Sequence, residues 1–202
     1  MNRHCLARRR PAARRAVAAR AGGFSLIELL VTVAVAAIAL GIGVPSMLRW
    51  NARHVIAAQA DEMRDALRGA RSEAMKRGGP VIVCRTEASS AGGCAQGGGD
   101  WQTWMVFADA NRSGGYEPGE PVINAHTQPS RRLDARAEVA SVRFEPTGIA
   151  LSSPGGGNVV FLLSPADMAA GATAAGDRAA QRQVCLSARG DVAVVDGNGA
   201  CP

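Results

Sequence analysis

Hydrophobic and polar residues divide the chain into stretches with different patterns. Residues 24–44 form one apolar run of 21 residues, which as a helix would rise about 31 Å, enough for a bilayer core of roughly 30 Å. Residues 46–77 lack proline and repeat apolar side chains every three or four positions, which predicts an amphipathic helix. We therefore expect one long rod: a membrane-spanning segment at 24–44, then an amphipathic segment at 45–79 that ends near Pro80.

After Pro80 the helical pattern gives way to short apolar runs separated by turn residues, which predicts antiparallel strands. The expected strands are residues 81–85, 101–108, 121–126, 138–145, 158–163, 183–187 and 191–195. Gly/Ala/Ser-rich stretches at 89–99 and 166–176 predict mobile loops. The predicted fold class is α+β: a long N-terminal helix, transmembrane in one half and amphipathic in the other, packed on an antiparallel β-sheet domain at 80–202.

Two groups of side chains have structural interpretations. The basic residues of the amphipathic segment are interspersed with acids, which predicts a solvated helix surface; a basic face that attracts anions is the alternative. They are Arg64, Arg68, Arg71, Lys76 and Arg77. Large aromatic side chains are expected in the core and on the sheet faces rather than in a ligand site. They are Trp101, Trp104, Phe107 and Phe144.

The net charge of +6 is unevenly distributed. Residues 1–23 hold seven of the 23 Lys/Arg residues and no acid, so the remaining sixteen face seventeen acids. This predicts a basic leader at 1–23 and removes most of the composition argument for binding to nucleic acid. The arginine-rich side of the apolar run should stay in the cytoplasm, which sends the residues after Pro45 across the membrane.

Four of the five cysteines lie outside the predicted leader. Of the three possible pairings, Cys84–Cys94 with Cys185–Cys201 is the most economical, because each pair brackets one short segment. Free buried thiols are the alternative. Disulfides imply an oxidising compartment, here the periplasm or the cell surface.

Glu28 is a carboxylate inside the apolar run. A charge at the bilayer centre costs about 3 kcal/mol or more, so this residue requires a partner. Cleavage between Gly23 and Phe24 would create an α-amine four residues away, which Glu28 of a neighbouring subunit could neutralise. The alternatives are a protonated carboxylate without a role and an ordinary secretory signal, whose apolar region is normally shorter.

Residues 23–31, GFSLIELLV, followed by Pro45, resemble the amino-terminal signature of type IV pilins and pseudopilins. The resemblance implies that a prepilin peptidase cuts after Gly23 and methylates Phe24. It also maps the family's assembly glutamate onto Glu28 and its helix-kinking proline onto Pro45, where proline removes an intrahelical hydrogen bond.

Later segments are similar to the GspH/FimT family of minor pilins and pseudopilins. They are WQTWMVFADANRSG at 101–114, PGEPVI at 118–123, FEPTG at 144–148, and QVCLS at 183–187 with Arg189-Gly190. The resemblance implies a minor subunit of a type IV pilus or a type II secretion pseudopilus, stored in the inner membrane and added to a filament through its helix. Its expected partners are prepilin peptidase, other pilins or pseudopilins, and the inner-membrane assembly platform.

Asp109, Asn111, Ser113 and Glu120 have the spacing of oxygen ligands in a calcium loop. An EF-hand requires helices on both sides, whereas this segment connects predicted strands. A hairpin loop rich in Asp, Asn and Gly explains the same residues and is the preferred interpretation. Calcium binding is the alternative, and no other cofactor is expected.

A surface DNA-receptor or adhesion subunit at a pilus tip is the alternative function. Some FimT-like subunits capture DNA and their basic carboxy-terminal tail is implicated, but residues 189–199 here hold one arginine and two aspartates. Since one arginine neutralises few phosphates, DNA binding would have to use Arg131, Arg132 and Arg136. No nucleophile, base and acid are identifiable by spacing, so no enzyme is expected.

Overall fold

The protein is described by a computed structural model. It describes residues 25–87, 93–127, 133–153, 157–166, 181–197 and 199–202, without the side chains of residues 42–46, 48 and 49. The predicted leader at 1–23 lies outside this range. The chain divides into two units between Val44 and Pro45, where the apolar run ends in the sequence.

A single helix, α1, comprises Leu26–Arg77, 52 residues. The two predicted helical segments are therefore one continuous element. Glu28 lies in the first turn, and the basic Lys76 and Arg77 lie in the last turn. Charges of these signs at these ends interact favourably with the helix dipole and stabilise the helix. Gly78 ends the helix with a φ of +64° and donates its N–H to the Ala74 carbonyl at 3.0 Å.

Ten strands follow in the described part of the chain. They are β1 (Val81–Arg85), β2 (Gly99–Asp100), β3 (Trp104–Ala108), β4 (Val122–His126), β5 (Leu133–Ala137), β6 (Ser141–Phe144), β7 (Ala150–Ser153), β8 (Val159–Pro165), β9 (Arg182–Leu186) and β10 (Val192–Asp196). Sheet 1 has the order β4-β3-β1-β6-β7, and sheet 2 has the order β10-β9-β8-β5-β2. All these pairings are antiparallel, so the predicted α+β class is confirmed.

Each of the seven predicted strands overlaps a strand of the structure, whereas β2, β5 and β7 were not predicted. In β5 the buried positions include Ala135 and Ala137, and alanine gives a weak strand signal. The predicted mobile loop at 89–99 is wrong at its end, because Cys94 forms a β-bridge with Thr86 and Gly99 begins β2. Most of the other predicted loop, 166–176, lies outside the described residues.

The core lies between α1 and the two sheets. Six α1 side chains at intervals of three or four residues, each at most 3% exposed, form the docked stripe: Ile56, Ala60, Met63, Leu67, Ala70 and Ala74. They belong to one apolar cluster with Phe144 of sheet 1 and Phe161 of sheet 2. Because one stripe contacts residues of both sheets, burial of the helix holds the sheets together.

The aromatic residues predicted for the core are buried. Trp101, Trp104, Phe107 and Phe144 are each at most 2% exposed. The Trp101 indole Nε1 donates a hydrogen bond of 2.9 Å to the Val139 carbonyl, which satisfies its buried polar atom. Phe107 lies in a second cluster with Ile82, Cys84 and Met105, packed by Tyr116 and Cys94.

Candidate functional site

Of the residues predicted for processing and assembly, the structure describes Glu28 and Pro45. Gly23 and Phe24 fall outside the described residues. Glu28 lies in the first turn of α1, and its side chain is exposed. Pro45 lies within the helix, and its side chain is not described.

The apolar side chains of residues 26–40 are exposed; we call this the open segment. Nine of them are 53–82% exposed: Leu26, Ile27, Leu29, Leu30, Val31, Val33, Val35, Ile38 and Leu40. Soluble monomeric proteins rarely expose a contiguous apolar surface of this kind unless a partner or a membrane covers it. Within the described residues, no helical stretch combines the length and the apolar character needed to cross a membrane.

Two arginines of α1 bind the turn between β9 and β10. Arg71 donates to the carbonyls of Arg189 and Gly190, both at 3.0 Å, and its Nη1 lies 3.2 Å from Asp191 Oδ1. Arg68 donates to the Val192 carbonyl at 2.9 Å. We call Arg68 and Arg71 the arginine clamp. The expectation of a solvated surface is wrong for Arg71, whose partly buried guanidinium reaches across to sheet 2. Arg68 is exposed, as predicted, although it also donates to a carbonyl of β10.

Two glycines make room for Arg71. Gly148 and Gly190 have φ angles of +83° and +84°, a region that favours glycine. A Cβ at either position would lie 3.0 Å from Arg71 Nε, and a Cβ at Gly190 would also overlap the Gly148 carbonyl oxygen. The two turns and the arginine therefore pack as one unit in which no larger side chain fits at Gly190.

A second polar contact joins α1 to the edge strand β4. His126 Nδ1 lies 2.8 Å from Glu62 Oε1, and the imidazole stacks on Trp104 with ring centroids 5.8 Å apart. Surface pairs of this kind contribute little to stability through charge alone. The contact therefore orients β4 more than it stabilises the fold.

The structure contains the two disulfides expected from the cysteine spacing. Cys84–Cys94 and Cys185–Cys201 each have a Cα–Cα distance of 5.6 Å and close loops of 10 and 16 residues. By restricting the unfolded chain, each contributes about 3 kcal/mol. The two bridges tie β1 to the segment that precedes β2, and β9 to the C-terminal residues.

Arg85, which sequence reasoning did not single out, lies beside the first disulfide and is 6% exposed. It donates to the carbonyls of Gln96 and Gly97 at 2.6 and 2.8 Å, and its Nη1 lies 2.6 Å from Glu87 Oε1. A buried guanidinium requires such partners. Arg85 thus holds the segment after Cys94 against sheet 1; its only sequence signal was an arginine that ends an apolar strand.

The predicted calcium-loop residues hold backbone amides. Asp109 is 1% exposed, and its two carboxylate oxygens accept the N–H groups of Ser113 at 2.9 Å and Gly114 at 3.1 Å. Glu120 accepts the N–H groups of Ala110 at 3.1 Å and Glu117 at 3.0 Å. This is the geometry of a turn closed by its own side chains.

The other two residues of this loop also bond within it. Asn111 Nδ2 donates to Glu117 at 2.9 Å, and Ser113 Oγ donates to the Gly115 carbonyl at 3.0 Å. No group of three or more His, Cys, Asp or Glu side chains in the described ranges is placed to hold a metal ion. Calcium binding stays an untested alternative.

Two family models match the chain. The model of type II transport protein GspH matches residues 59–190, about two thirds of the 202 residues. The chain belongs to the GspH family. The model of the prokaryotic N-terminal methylation motif matches residues 19–44 of this GspH-family protein. It is a minor pilin or pseudopilin, a subunit of a type IV pilus or of a type II secretion pseudopilus, and its family is one of structural proteins that assemble with other pilins.

Two solved structures are similar to the GspH-family chain. Both are crystal structures of the type IV minor pilin FimU from Pseudomonas aeruginosa PAO1, in space groups P21 and P65. The first is 16% identical, covers 71% of this chain and 90% of FimU, and has a TM-score of 0.47. The second is 15% identical, covers 69% and 91%, and has a TM-score of 0.43. Among curated proteins, no sequence matches the chain.

Two of the segments that carried the family resemblance meet at Arg71 in the GspH-family protein. FEPTG supplies Gly148 and the Arg189-Gly190 pair supplies carbonyl groups, all within the matched residues 59–190. The sequence identified these segments but not their common partner. An arginine on an amphipathic helix with acids nearby has the same local pattern whether it faces water or a distant turn.

The arginines predicted for DNA binding are only partly described in the GspH-family protein. Arg131 and Arg132 lie outside the described residues. Arg136 lies in β5 with its side chain 67% exposed, 3.5 Å from Asp134. An ion pair with Asp134 reduces the charge available to a phosphate. DNA binding stays an untested prediction.

Proposed function

We propose that prepilin peptidase cuts this GspH-family protein after Gly23 and methylates Phe24, and that the open segment anchors it in the inner membrane before it enters a filament. The observation that carries this proposal is the methylation motif at residues 19–44, which overlaps a helix with exposed apolar side chains. Such a surface requires a cover. The bilayer covers it during storage, and the helices of other pilins cover it in the filament.

The orientation in the membrane follows from charge and redox chemistry. The seven arginines of residues 1–23 favour a cytoplasmic N-terminus. The two disulfides of the β domain require an oxidising compartment, which is the periplasm. The assembly platform of the inner membrane would then take up the subunit from the bilayer.

Glu28 supplies the polar contact of assembly in this proposal. Its exposed carboxylate lies in the first turn of α1, close in sequence to the α-amine that cleavage would create at Phe24. An apolar filament core makes an unpaired charge costly, so a carboxylate of one subunit and an amine of its neighbour stabilise each other.

Processing is tested by mass spectrometry of the protein expressed with and without the peptidase. We expect a product that lacks residues 1–23 and carries one methyl group on Phe24. Gly23→Leu should block this product, whereas Gly22→Ala should leave it unchanged. A Gly23→Leu protein that is cut at the same bond would contradict the proposed site.

Assembly is tested with Glu28→Gln, which keeps the shape of the side chain and removes its charge. We expect normal cleavage but poor incorporation into filaments, measured by the amount in a sheared filament fraction. Incorporation at the level of the unchanged protein would remove the role given to the carboxylate.

Deletion of the gene distinguishes the two filament systems. Loss of twitching with intact secretion assigns the subunit to a type IV pilus. Loss of exoprotein secretion with intact twitching assigns it to a type II secretion pseudopilus.

A further inference from the structure

Four exposed side chains of α1 lie within eight residues soon after the open segment; we call Met47, Trp50, Arg53 and His54 the Trp50 belt. Trp50 is 57% exposed and Met47 is 66% exposed. The Trp50 and His54 rings meet edge to face with centroids 4.1 Å apart. Met47, Trp50 and His54 follow a spacing of three and four residues, so they lie on one face of the helix.

The belt carries positive charge with no acid nearby in the sequence. No Asp or Glu occurs between Leu29 and Ala60. Farther along α1, by contrast, Arg64 pairs with Asp61 at 2.8 Å, and Arg77 pairs with Glu73 at 2.9 Å. Arg53 takes part in none of the ion pairs found among the described residues. Its guanidinium is therefore available to an external anion.

The chemistry of the belt fits the polar layer of a membrane. Tryptophan combines an apolar ring with an N–H donor and is enriched where hydrocarbon meets headgroups. Arginine binds phosphate through a planar pair of N–H donors. The belt begins three residues after Val44, the end of a run long enough for a bilayer core.

We infer that the Trp50 belt binds anionic phospholipid headgroups on the periplasmic surface of the inner membrane. This inference rests on the proposed membrane anchoring. Trp50 sets the depth of the helix in the bilayer, and Arg53 selects anionic over zwitterionic lipid. The belt thereby holds the stored subunit at one height until it enters the filament.

Trp50 fluorescence tests the inference on the full chain reconstituted in phosphatidylcholine vesicles. Two vesicle preparations are compared. Each contains the same small fraction of one lipid brominated near the headgroup: phosphatidylglycerol in the first preparation and phosphatidylcholine in the second. Trp101 and Trp104 are 1% and 2% exposed, so quenching reports on Trp50 and should disappear in Trp50→Phe. We expect brominated phosphatidylglycerol to quench more strongly.

Arg53→Gln should lower that preference for phosphatidylglycerol about fivefold, the effect of one arginine near an anionic surface. Arg64→Gln is the matched control and should leave the preference unchanged, because Arg64 already pairs with Asp61. Equal quenching by both lipids in the unchanged protein would overturn the inference.

Carbonate extraction separates the failure of the belt from the failure of the proposed anchoring. A chain that resists extraction but shows no quenching of Trp50 keeps the anchoring and overturns the belt. A chain that carbonate releases overturns the anchoring, and the belt with it.

Discussion

The two ends of α1 are both rich in apolar residues, but they differ in what covers them. The open segment at 26–40 exposes its Leu, Ile and Val side chains by 53–82%. The docked stripe between Ile56 and Ala74 is at most 3% exposed against the sheets. One helix thus combines a surface satisfied within the chain and a surface that requires an external partner.

The difference lies in residue size as well as in burial. Half of the docked stripe is alanine: Ala60, Ala70 and Ala74. Small side chains let the strands approach the helix closely, and Leu67 and Met63 fill the space between them. The open segment combines four alanines with nine larger Leu, Ile and Val side chains, and none of them is buried against the part of the chain that the structure describes. Stability and assembly should therefore respond to separate halves of the helix.

The largest expected effect comes from the same substitution made in each half. Leu67→Ala removes a fully buried side chain and should lower the free energy of unfolding by about 2–5 kcal/mol. Leu40→Ala, at a side chain that is 63% exposed, should leave it nearly unchanged and reduce filament incorporation instead. Urea unfolding of the full chain in detergent measures the free energy of unfolding of both variants, and the amount in a sheared filament fraction measures incorporation. Equal destabilisation by the two would contradict the division of α1.

Gly190→Ala tests the packing around Arg71. The added Cβ would overlap the Gly148 carbonyl oxygen at a φ of +84°, so we expect a loss of about 2–3 kcal/mol. Gly114→Ala is a matched control, because Gly114 has the same φ of +84° and no atom near its added Cβ. It should cost only about 1 kcal/mol. Similar losses of stability in Gly190→Ala and Gly114→Ala would show that backbone strain at positive φ, and not the packing around Arg71, causes the effect.

Asp109→Ala, together with calcium titration of the unchanged protein, tests whether the loop at 109–120 is held by its own side chains or by calcium. Loss of a buried acceptor of two backbone N–H groups should cost about 2–3 kcal/mol. We expect the unchanged protein to have the same melting temperature with and without calcium. Heat of calcium binding in titration calorimetry, with a raised melting temperature, would instead support the calcium alternative.

Arg71→Lys keeps the charge but cannot reach both carbonyls and Asp191 together. We expect a loss of about 1 kcal/mol in the free energy of unfolding. Arg64→Lys is the control, since the ion pairs of Arg64 among the described residues are with exposed Asp61 and Asp65 of its own helix. If the two substitutions have the same effect, the clamp does not hold α1 on sheet 2.

The smallest effect is expected at Glu73, near the end of α1. Hydrogen bonds from Arg77 and Lys76 lower the pKa of its carboxyl below the ordinary value of 4.5. Because the folded pKa is the lower one, this contribution to stability is present above pH 4.5 and is lost as the pH falls through the folded pKa. The melting temperature of Glu73→Gln should thus fall slightly less on acidification than that of the unchanged protein.

Local sequence patterns predicted the helix and strands of this protein better than they predicted the contacts between them. The spacing of apolar residues located α1 and seven strands, and the spacing of the cysteines favoured the two disulfides. The apolar pattern missed β2, β5 and β7, which are short or partly polar strands that depend on their neighbours for their definition. It also missed Arg85, because its partners Gln96 and Gly97 lie in a segment that looked like a mobile loop.

The amino-acid sequence by itself determined the rod, its apolar end and the family signature, because each depends on residues close together along the chain. For the cysteines it only favoured one of three possible pairings. Only the tertiary structure decided that the strands form two sheets around one stripe of α1. It likewise decided that Arg71 binds the Gly190 carbonyl, 119 residues away. Such a contact depends on how whole elements pack, and no short window of sequence contains that information.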